Sequence, residues 1–358
     1  MIRKLYKIHC LLGIILGAIL LFMSHAHASS PQELTLLNWA DYISPDLINT
    51  FQEKFNVKLQ VVTYTSDDNR DQLLVSTDGG NFDVVVIDGR SIATYAKRGW
   101  LAKISEEEIP NMENILPKWR VAYEGSKEYA VPYFWGTVGI AYRSDLVKSP
   151  VTSWMDILQP AQELQGKIFM LPQRRELVDI ALKGLGYSIN SSDDPSAYKQ
   201  AEKLLLQQKQ YVKKYDVPAV NDGSALVSGE ILAAATYSGD ALTLKAINKN
   251  ISFVIPSEGT TLWGDYLVVM AKSEKKKLAM DFINFLNESK NAAEHAEYMY
   301  YATPNSAAEK LLPKEFLNDP LIYPSNTIMQ KCEIEKILPA RVYKTRNTIF
   351  MEVTRDKM

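Results

Sequence analysis

The sequence ELTLLNWADYISPDLINTFQEKFNVKLQVVTY, at residues 33–64, decides the fold class of this chain. Apolar residues predict strands at Glu33–Asn38 and Lys58–Tyr64, and a Ser-Pro pair where Pro45–Phe55 begins is typical of a helix start. The Val-rich segment Asp83–Ile87 predicts a third, buried strand. This alternation predicts an α/β fold with a mostly parallel sheet that has helices on both faces.

The rest of the chain repeats this alternation in a second α/β unit. Strands predicted at Tyr129–Phe134 and Val138–Tyr142 form a first crossing between two lobes, and an apolar strand predicted at Asp265–Ala271 returns the chain. Two lobes joined by more than one crossing enclose a hinged cleft, where a ligand is expected. The predicted division is residues 29–137 and 260–310 for lobe 1, and residues 138–259 and 311–358 for lobe 2.

The first 28 residues have the features of a secretory signal peptide. Arg3, Lys4 and Lys7 form a basic start, Cys10–Met23 is apolar, and Ala26-His27-Ala28 is a small-residue cleavage site. The apolar run of about 14 residues is shorter than the roughly 20 that a membrane-spanning helix needs. We therefore expect a soluble mature protein that is exported to the periplasm.

The 358-residue chain is 46% hydrophobic and 23% charged, the composition of a folded globular protein. Without the signal peptide it keeps 37 Lys and Arg against 42 Asp and Glu, which disfavours a nucleic-acid partner. It also keeps only one histidine, His295 in a helix that we predict to be at the surface, and one cysteine, Cys332. Zinc sites and catalytic sites with a histidine-activated nucleophile need more ligands and partners than one histidine and one cysteine provide. We therefore predict no metal, no cofactor and no enzymatic activity. A two-carboxylate hydrolase stays formally open.

Eight short segments, in this order and at this spacing, make the chain similar to a known protein family. They are Leu37–Tyr42, Asp83–Ile87, Val131–Gly136, Val151–Asp156, Lys183–Tyr187, Tyr237–Asp240, Trp263–Asp265 and Thr303–Asn305. The chain resembles the periplasmic spermidine/putrescine-binding proteins that serve polyamine ABC importers. The resemblance implies a two-lobed type II solute-binding fold that closes on a polyamine, an inner-membrane ABC permease as partner, and a monomer.

A polyamine carries protonated amines separated by methylenes, so its site needs carboxylates and ring faces. Ammonium groups are costly to remove from water unless such groups replace it, each cation–π contact contributing about 0.5–2 kcal/mol. Considered one residue at a time, the aromatic side chains are typical of a packed core, and the acidic side chains are typical of a solvated surface. The resemblance instead assigns to the pocket Trp39, Asp41, Tyr42, Gln173, Glu176, Tyr237, Asp240, Trp263, Asp265 and Tyr301. It implies that Asp265 holds one ammonium and that Trp263 covers the methylenes.

Three positions depart from the family pattern and leave the ligand open. Gln173 stands where spermidine-type members have Asp, and Asp88 could supply the missing negative charge as a further site residue. Arg90 would repel a cation unless Asp88 or Asp68 neutralises it or it points to solvent in a surface salt bridge. Turned inward, its guanidinium would pair bidentately with a ligand carboxylate. The alternatives are therefore an amine-bearing carboxylate as ligand, or a polyamine receptor that signals to a membrane sensor.

Overall fold

The computed structural model describes residues 31–357, so the predicted signal peptide lies outside the described residues. None of the helices in this range combines the length and the apolar character that crossing a bilayer requires. The strands are β1 (Gln32–Trp39), β2 (Val57–Tyr64), β3 (Val84–Asp88), β4 (Ala130–Arg143), β5 (Ile168–Met170), β6 (Val212–Tyr215), β7 (Ala233–Tyr237), β8 (Ile251–Val254), β9 (Thr261–Val269) and β10 (Glu333–Ile334).

Helices connect these strands, and the one predicted to begin at Pro45 does so, because the fixed φ of proline suits the first helical position. The longer helices are α1 (Pro45–Phe55), α2 (Asp67–Ser76), α3 (Ser91–Lys97), α7 (Arg174–Gly184), α8 (Pro195–Gln208), α10 (Ser238–Ile247), α11 (Lys276–Leu286), α12 (Ser289–Met299) and α16 (Ala340–Thr354). The four-residue helices are α4 (Pro117–Arg120), α5 (Ser126–Tyr129), α6 (Met155–Leu158), α9 (Ala225–Ser228), α13 (Ser306–Glu309), α14 (Lys314–Leu317) and α15 (Asn326–Met329).

Two sheets, one in each lobe, share strand β4. In the first lobe the order is β2-β1-β3-β9-β4, with β2, β1 and β3 parallel and β9 antiparallel to both of its neighbours. In the second lobe the order is β4-β7-β5-β6, with β7, β5 and β6 parallel and β4 antiparallel to β7. The parallel strands that the sequence predicts thus form the outer part of each sheet, and the antiparallel strands lie where the lobes meet.

Strand β4 joins the lobes as one continuous strand of 14 residues. Ala130–Thr137 pairs with β9 in the first lobe, and Val138–Arg143 pairs with β7 and β8 in the second. The sequence predicts two separate strands here, but Trp135–Thr137 stays extended because it also pairs with β9. Nearly every residue of β4 is buried, which explains its continuous apolar sequence.

Each lobe has apolar clusters on both faces of its sheet, as alternating strand residues pack against helices on either side. In the first lobe, the buried rings of Phe51 on α1 and Phe282 on α11 lie 4.8 Å apart between centroids. In the second lobe, Leu177 on α7 packs in one cluster with Ile349 on α16. Leu312, in contrast, is buried in the first-lobe core. The exact division of the C-terminal residues between the lobes stays a prediction.

The second connection between the lobes, the loop from β8 to β9, is held by Trp154. The side chain of Trp154 is fully buried, and its Nε1 donates a hydrogen bond to the carbonyl oxygen of Gly259 at 3.0 Å. Gly259 has a φ of +83°, and a Cβ there would lie 2.1 Å from the carbonyl oxygen of Lys331, so glycine is required. Trp154 therefore couples the second-lobe core to the path of the chain between the lobes.

We expect Trp154→Ala to lower the free energy of unfolding by about 3–5 kcal/mol, because it leaves a cavity and breaks the bond to Gly259. Urea unfolding followed by circular dichroism measures the change. Val121→Ala is the control, because Val121 is 63% exposed and should change the free energy by no more than about 0.5 kcal/mol. A loss below about 1 kcal/mol for Trp154→Ala would contradict its role in the core.

Candidate functional site

Five aromatic side chains meet where the two lobes face each other, and we call them the ring cluster. The ring centroid of Tyr42 lies 5.7 Å from that of Phe134 and 5.9 Å from that of Tyr301. Trp263 lies 4.9 Å from Tyr301 and 6.1 Å from Tyr237, which is the only second-lobe member. All four pairs are edge to face, the favourable arrangement for aromatic quadrupoles. The structure thus brings together four of the five predicted rings and adds Phe134.

Two glycines let these rings lie directly against the backbone. A Cβ at Gly136 would be 2.5 Å from the ring of Trp263, and a Cβ at Gly239 would be 2.5 Å from the ring of Tyr301. The indole Nε1 of Trp263 is buried and has no hydrogen-bond partner within residues 31–357, and the buried hydroxyl of Tyr42 faces Asp265. An unpaired buried donor is costly, and an acceptor placed against the ring cluster would satisfy this indole.

Asp265, on β9 beside the ring cluster, is a buried carboxylate that no lysine or arginine of the described chain contacts. Burial raises its pKa to about 8, and the neighbouring carboxylates of Asp88 and Asp67 add to the increase. The Tyr42 hydroxyl and Arg70 oppose this increase only in part. An ammonium group placed against Asp265 would supply the missing positive charge and lower the pKa again.

Asp240 is a second such carboxylate, half-buried in the first turn of α10 in the second lobe. Burial raises the pKa of Asp240 to about 6, although it accepts a hydrogen bond from the hydroxyl of Tyr301 at 3.0 Å. This bond joins the two lobes. The ring cluster therefore lies between two carboxylates, one in each lobe, and neither has a cationic partner among the described residues.

Two of the three other predicted carboxylates, Asp88 and Glu176, are already paired with arginines. Asp88 accepts hydrogen bonds from Nε of Arg90 at 2.8 Å and from Nη2 of Arg70 at 3.1 Å. Glu176 Oε1 lies 3.4 Å from Nη1 of Arg90. Burial opposes ionisation of Asp88, yet Arg90, Arg175 and Arg70 together hold its pKa well below the usual range. Arg90 is thus a buried link between the lobes, not a surface salt bridge.

Glu335 belongs to the same group and is absent from the sequence prediction. It follows β10, is 2% exposed, and places Oε2 at 2.7 Å from Nη1 of Arg90. Its other oxygen lies 3.4 Å from Arg346, which also binds Asp179 at 2.7 Å. The alternation of Glu333 and Glu335 with apolar neighbours is typical of an exposed edge strand, so the sequence carries no signal for this burial.

Three predicted site residues belong neither to the ring cluster nor to the group of carboxylates around Arg90. The Trp39 ring, at the end of β1, packs 4.4 Å from the ring of Tyr64. Asp41 lies in an exposed turn with a φ of +54° and makes no hydrogen bond or ion pair with any described residue. Gln173 is half-buried before α7, and its side chain does not cap that helix. As ligand contacts, these three residues stay predictions.

An open groove of about 470 Å³ marks the outer edge of the cleft. Its walls are Thr65, Ser66, Asp67, Asp68 and Asp71 of the first lobe, and Pro172, Gln173, Arg174, Arg175, Glu176, Lys214, Tyr215, Asp216, Val217 and Phe350 of the second. Arg175 spans it to reach Asp67 at 3.2 Å, and Arg174 pairs with Asp68. No member of the ring cluster lines this groove.

His295 is buried, and its predicted surface position is wrong, because α12 turns this residue toward the rings of Tyr133 and Phe134. Its Nε2 accepts a hydrogen bond from the backbone N–H of Ser44 at 3.4 Å. Burial lowers the pKa of His295 to about 3, so the imidazole is neutral. Within residues 31–357, no three His, Cys, Asp or Glu side chains are grouped to hold a metal ion.

Comparison with known proteins agrees with this architecture. The family of bacterial extracellular solute-binding proteins matches residues 46–324. The spermidine/putrescine-binding periplasmic protein of Salmonella typhimurium is 32% identical over 322 residues, covering 88% of this chain and 90% of that protein. The norspermidine sensor of Vibrio cholerae is 29% identical over 333 residues, covering 92% and 90%.

A solved structure shows the same fold. The spermidine/putrescine ABC transporter substrate-binding protein of Streptococcus pneumoniae matches with a TM-score of 0.78 at 27% identity, covering 91% of this chain and 100% of that one. The two lobes with β4 and the β8–β9 loop between them are accordingly the type II fold that the sequence predicts. The chain belongs to the bacterial extracellular solute-binding proteins and, among them, to the family of spermidine/putrescine-binding periplasmic proteins.

Proposed function

We propose that this protein binds a small di- or polyamine of the putrescine and spermidine class between its lobes and delivers it to an inner-membrane ABC importer. In this proposal the protein is a periplasmic monomer, exported by its signal peptide, with no cofactor and no enzymatic activity. The names of its relatives from Salmonella typhimurium and Streptococcus pneumoniae support both the ligand class and the transport role.

The observation that carries the proposal is the pair of carboxylates, Asp240 and Asp265, on either side of the ring cluster. Asp265 is buried and Asp240 half-buried, and neither contacts a lysine or arginine of the described chain. A buried carboxylate without a cation is costly, so a protein retains such a group where a ligand supplies the charge. Two ammonium groups would satisfy the two carboxylates, and the rings of Trp263 and Tyr237 would cover the methylenes between them.

An amine-bearing carboxylate is a weaker candidate because of where Arg90 lies. Its guanidinium already contacts four carboxylates, those of Asp67, Asp88, Glu176 and Glu335. A ligand carboxylate would have to displace these groups and would add negative charge to a site that is rich in it. The arrangement therefore favours a purely cationic ligand.

A sensory role is the second candidate, because the norspermidine sensor of Vibrio cholerae is also a relative. The same amine-binding cleft would serve both roles, so the difference lies in the membrane partner. Genes for a permease and an ATPase beside the gene for this chain would support import. A gene for a sensory membrane protein in their place would support signalling.

Thermal unfolding tests the ligand class. Putrescine, cadaverine, agmatine, spermidine or norspermidine should raise the melting temperature of the mature protein, and glutamate or glycine should not. A ligand at 100 times its dissociation constant adds about 2.7 kcal/mol, which corresponds to several degrees. A shift with an amino acid alone would contradict the cationic-ligand proposal and would place Arg90 in the binding surface.

Asp265→Asn should reduce amine affinity at least tenfold in titration calorimetry, because the ammonium then lies in a desolvated site without its charge partner. In the absence of ligand the same variant should be more stable than the parent at pH 8, by about 1–3 kcal/mol, since an unpaired buried charge is removed. The control is Asp222→Asn, an exposed loop carboxylate, which should change neither quantity. Unchanged affinity in Asp265→Asn would place this residue outside the site.

Amine affinity should also depend on pH, because protons compete with the ammonium for Asp265, whose pKa is raised to about 8. The folded ligand-free protein holds this proton up to a higher pH than the unfolded chain does. Its stability should therefore fall as pH rises from about 4 through about 8, and amine affinity should rise over the upper part of that range. Calorimetry between pH 6 and 8.5 should show up to about tenfold change per unit, and Asp265→Asn should flatten the profile.

A further inference from the structure

Arg90 is placed so that carboxylates from both sides of the cleft surround its guanidinium. Its contacts in the first lobe are Asp88, with Nε at 2.8 Å, and Asp67, with Nη2 at 3.8 Å. On the opposite side of the cleft, Nη1 of Arg90 lies 2.7 Å from Glu335 and 3.4 Å from Glu176. The Arg90 side chain is 11% exposed. An internal cation thus fills the space between these four carboxylates.

This arginine group lies next to the ring cluster along the cleft. Asp88 and Asp265 are directly opposite each other in the antiparallel pair β3–β9, so their side chains point to the same face of the sheet. On the other side of the cleft, the negative charges of Glu176 and Asp240 both help to raise the pKa of the Tyr237 hydroxyl, so both carboxylates lie near it. A chain of methylenes that leaves the ring cluster in this direction therefore meets the guanidinium of Arg90.

The charge around Arg90 is already balanced by the protein itself. Arg70 lies 2.9 Å from Asp67 and 3.1 Å from Asp88, and Arg346 lies 3.4 Å from Glu335. A guanidinium stays protonated at any physiological pH, and its covalent attachment keeps it in the cleft. A further ligand ammonium would find these carboxylates neutralised and would be repelled by Arg90, unlike an ammonium at Asp240 or Asp265.

We infer that Arg90 is a specificity-determining residue, whose guanidinium occupies the place of an additional ligand ammonium and restricts the cleft to short α,ω-diamines. The inference rests on the proposed function, since it names the ligand that the same cleft prefers. One ammonium binds Asp265, the other binds Asp240, and a third amine has no carboxylate left to accept it. The protein accordingly binds putrescine or cadaverine in preference to spermidine or norspermidine.

Titration calorimetry of the mature protein with putrescine and spermidine tests this inference. The parent protein should bind putrescine at least tenfold more tightly than spermidine. Arg90→Gln should shift this ratio at least tenfold toward spermidine, because Asp88, Glu176 and Glu335 lose their shared cation and can accept an ammonium. Arg90→Lys should keep the diamine preference. Arg174→Gln is the matched control, because this arginine lies at the exposed rim, with 39% side-chain exposure, and should leave the ratio unchanged.

A second variant covers the case in which Arg90→Gln does not fold. Arg90→Gln combined with Glu335→Gln removes one positive and one negative charge together, and it should also shift the ratio toward spermidine. A parent protein that prefers spermidine, or folded variants that keep the parent ratio, would overturn the inference and leave amine binding intact. Absence of binding by any amine to the folded parent protein would overturn the proposed function itself.

Discussion

The burial of carboxylates between the two lobes is the constraint on which the rest of the site depends. A carboxylate that leaves water needs a cation, and this protein meets the need in two different ways. Arg90 and its neighbouring arginines neutralise Asp88, Glu176 and Glu335 from within the chain. Asp240 and Asp265, in contrast, form no ion pair with a lysine or arginine of the described residues. Under the proposed function, the bound ligand supplies the cation for the second pair.

The fold places these charges together through strands that are distant in sequence. Asp88 ends the parallel strand β3, and Asp265 lies opposite it on β9, after the chain has returned from the second lobe. Asp240 lies in the first turn of α10, directly after β7, whose last residue Tyr237 completes the ring cluster. The candidate site thus lies beside the ends of β3 and β7, the carboxyl ends of strands at which open α/β sheets present ligands.

The sequence predicts the architecture well because its local signals agree with one another. The helix at Pro45–Phe55 has its proline, its apolar stripe and its flanking strands, and the structure reproduces it. The ring positions and Asp265 follow from the family resemblance. The partner of Arg90 does not, because Glu335 is 245 residues away and lies beside a two-residue strand whose pattern looks solvent-exposed. The burial of His295 is likewise set by tertiary packing rather than by its own helix.

The continuity of β4 has a mechanical consequence. One connection between the lobes is a hydrogen-bonded strand of 14 residues and not a loose linker, so relative motion of the lobes must twist or bend a β-ladder. Such a joint permits few directions of movement and resists the others. In the proposed role, lobes that can move in few directions lose little conformational entropy when a ligand binds between them.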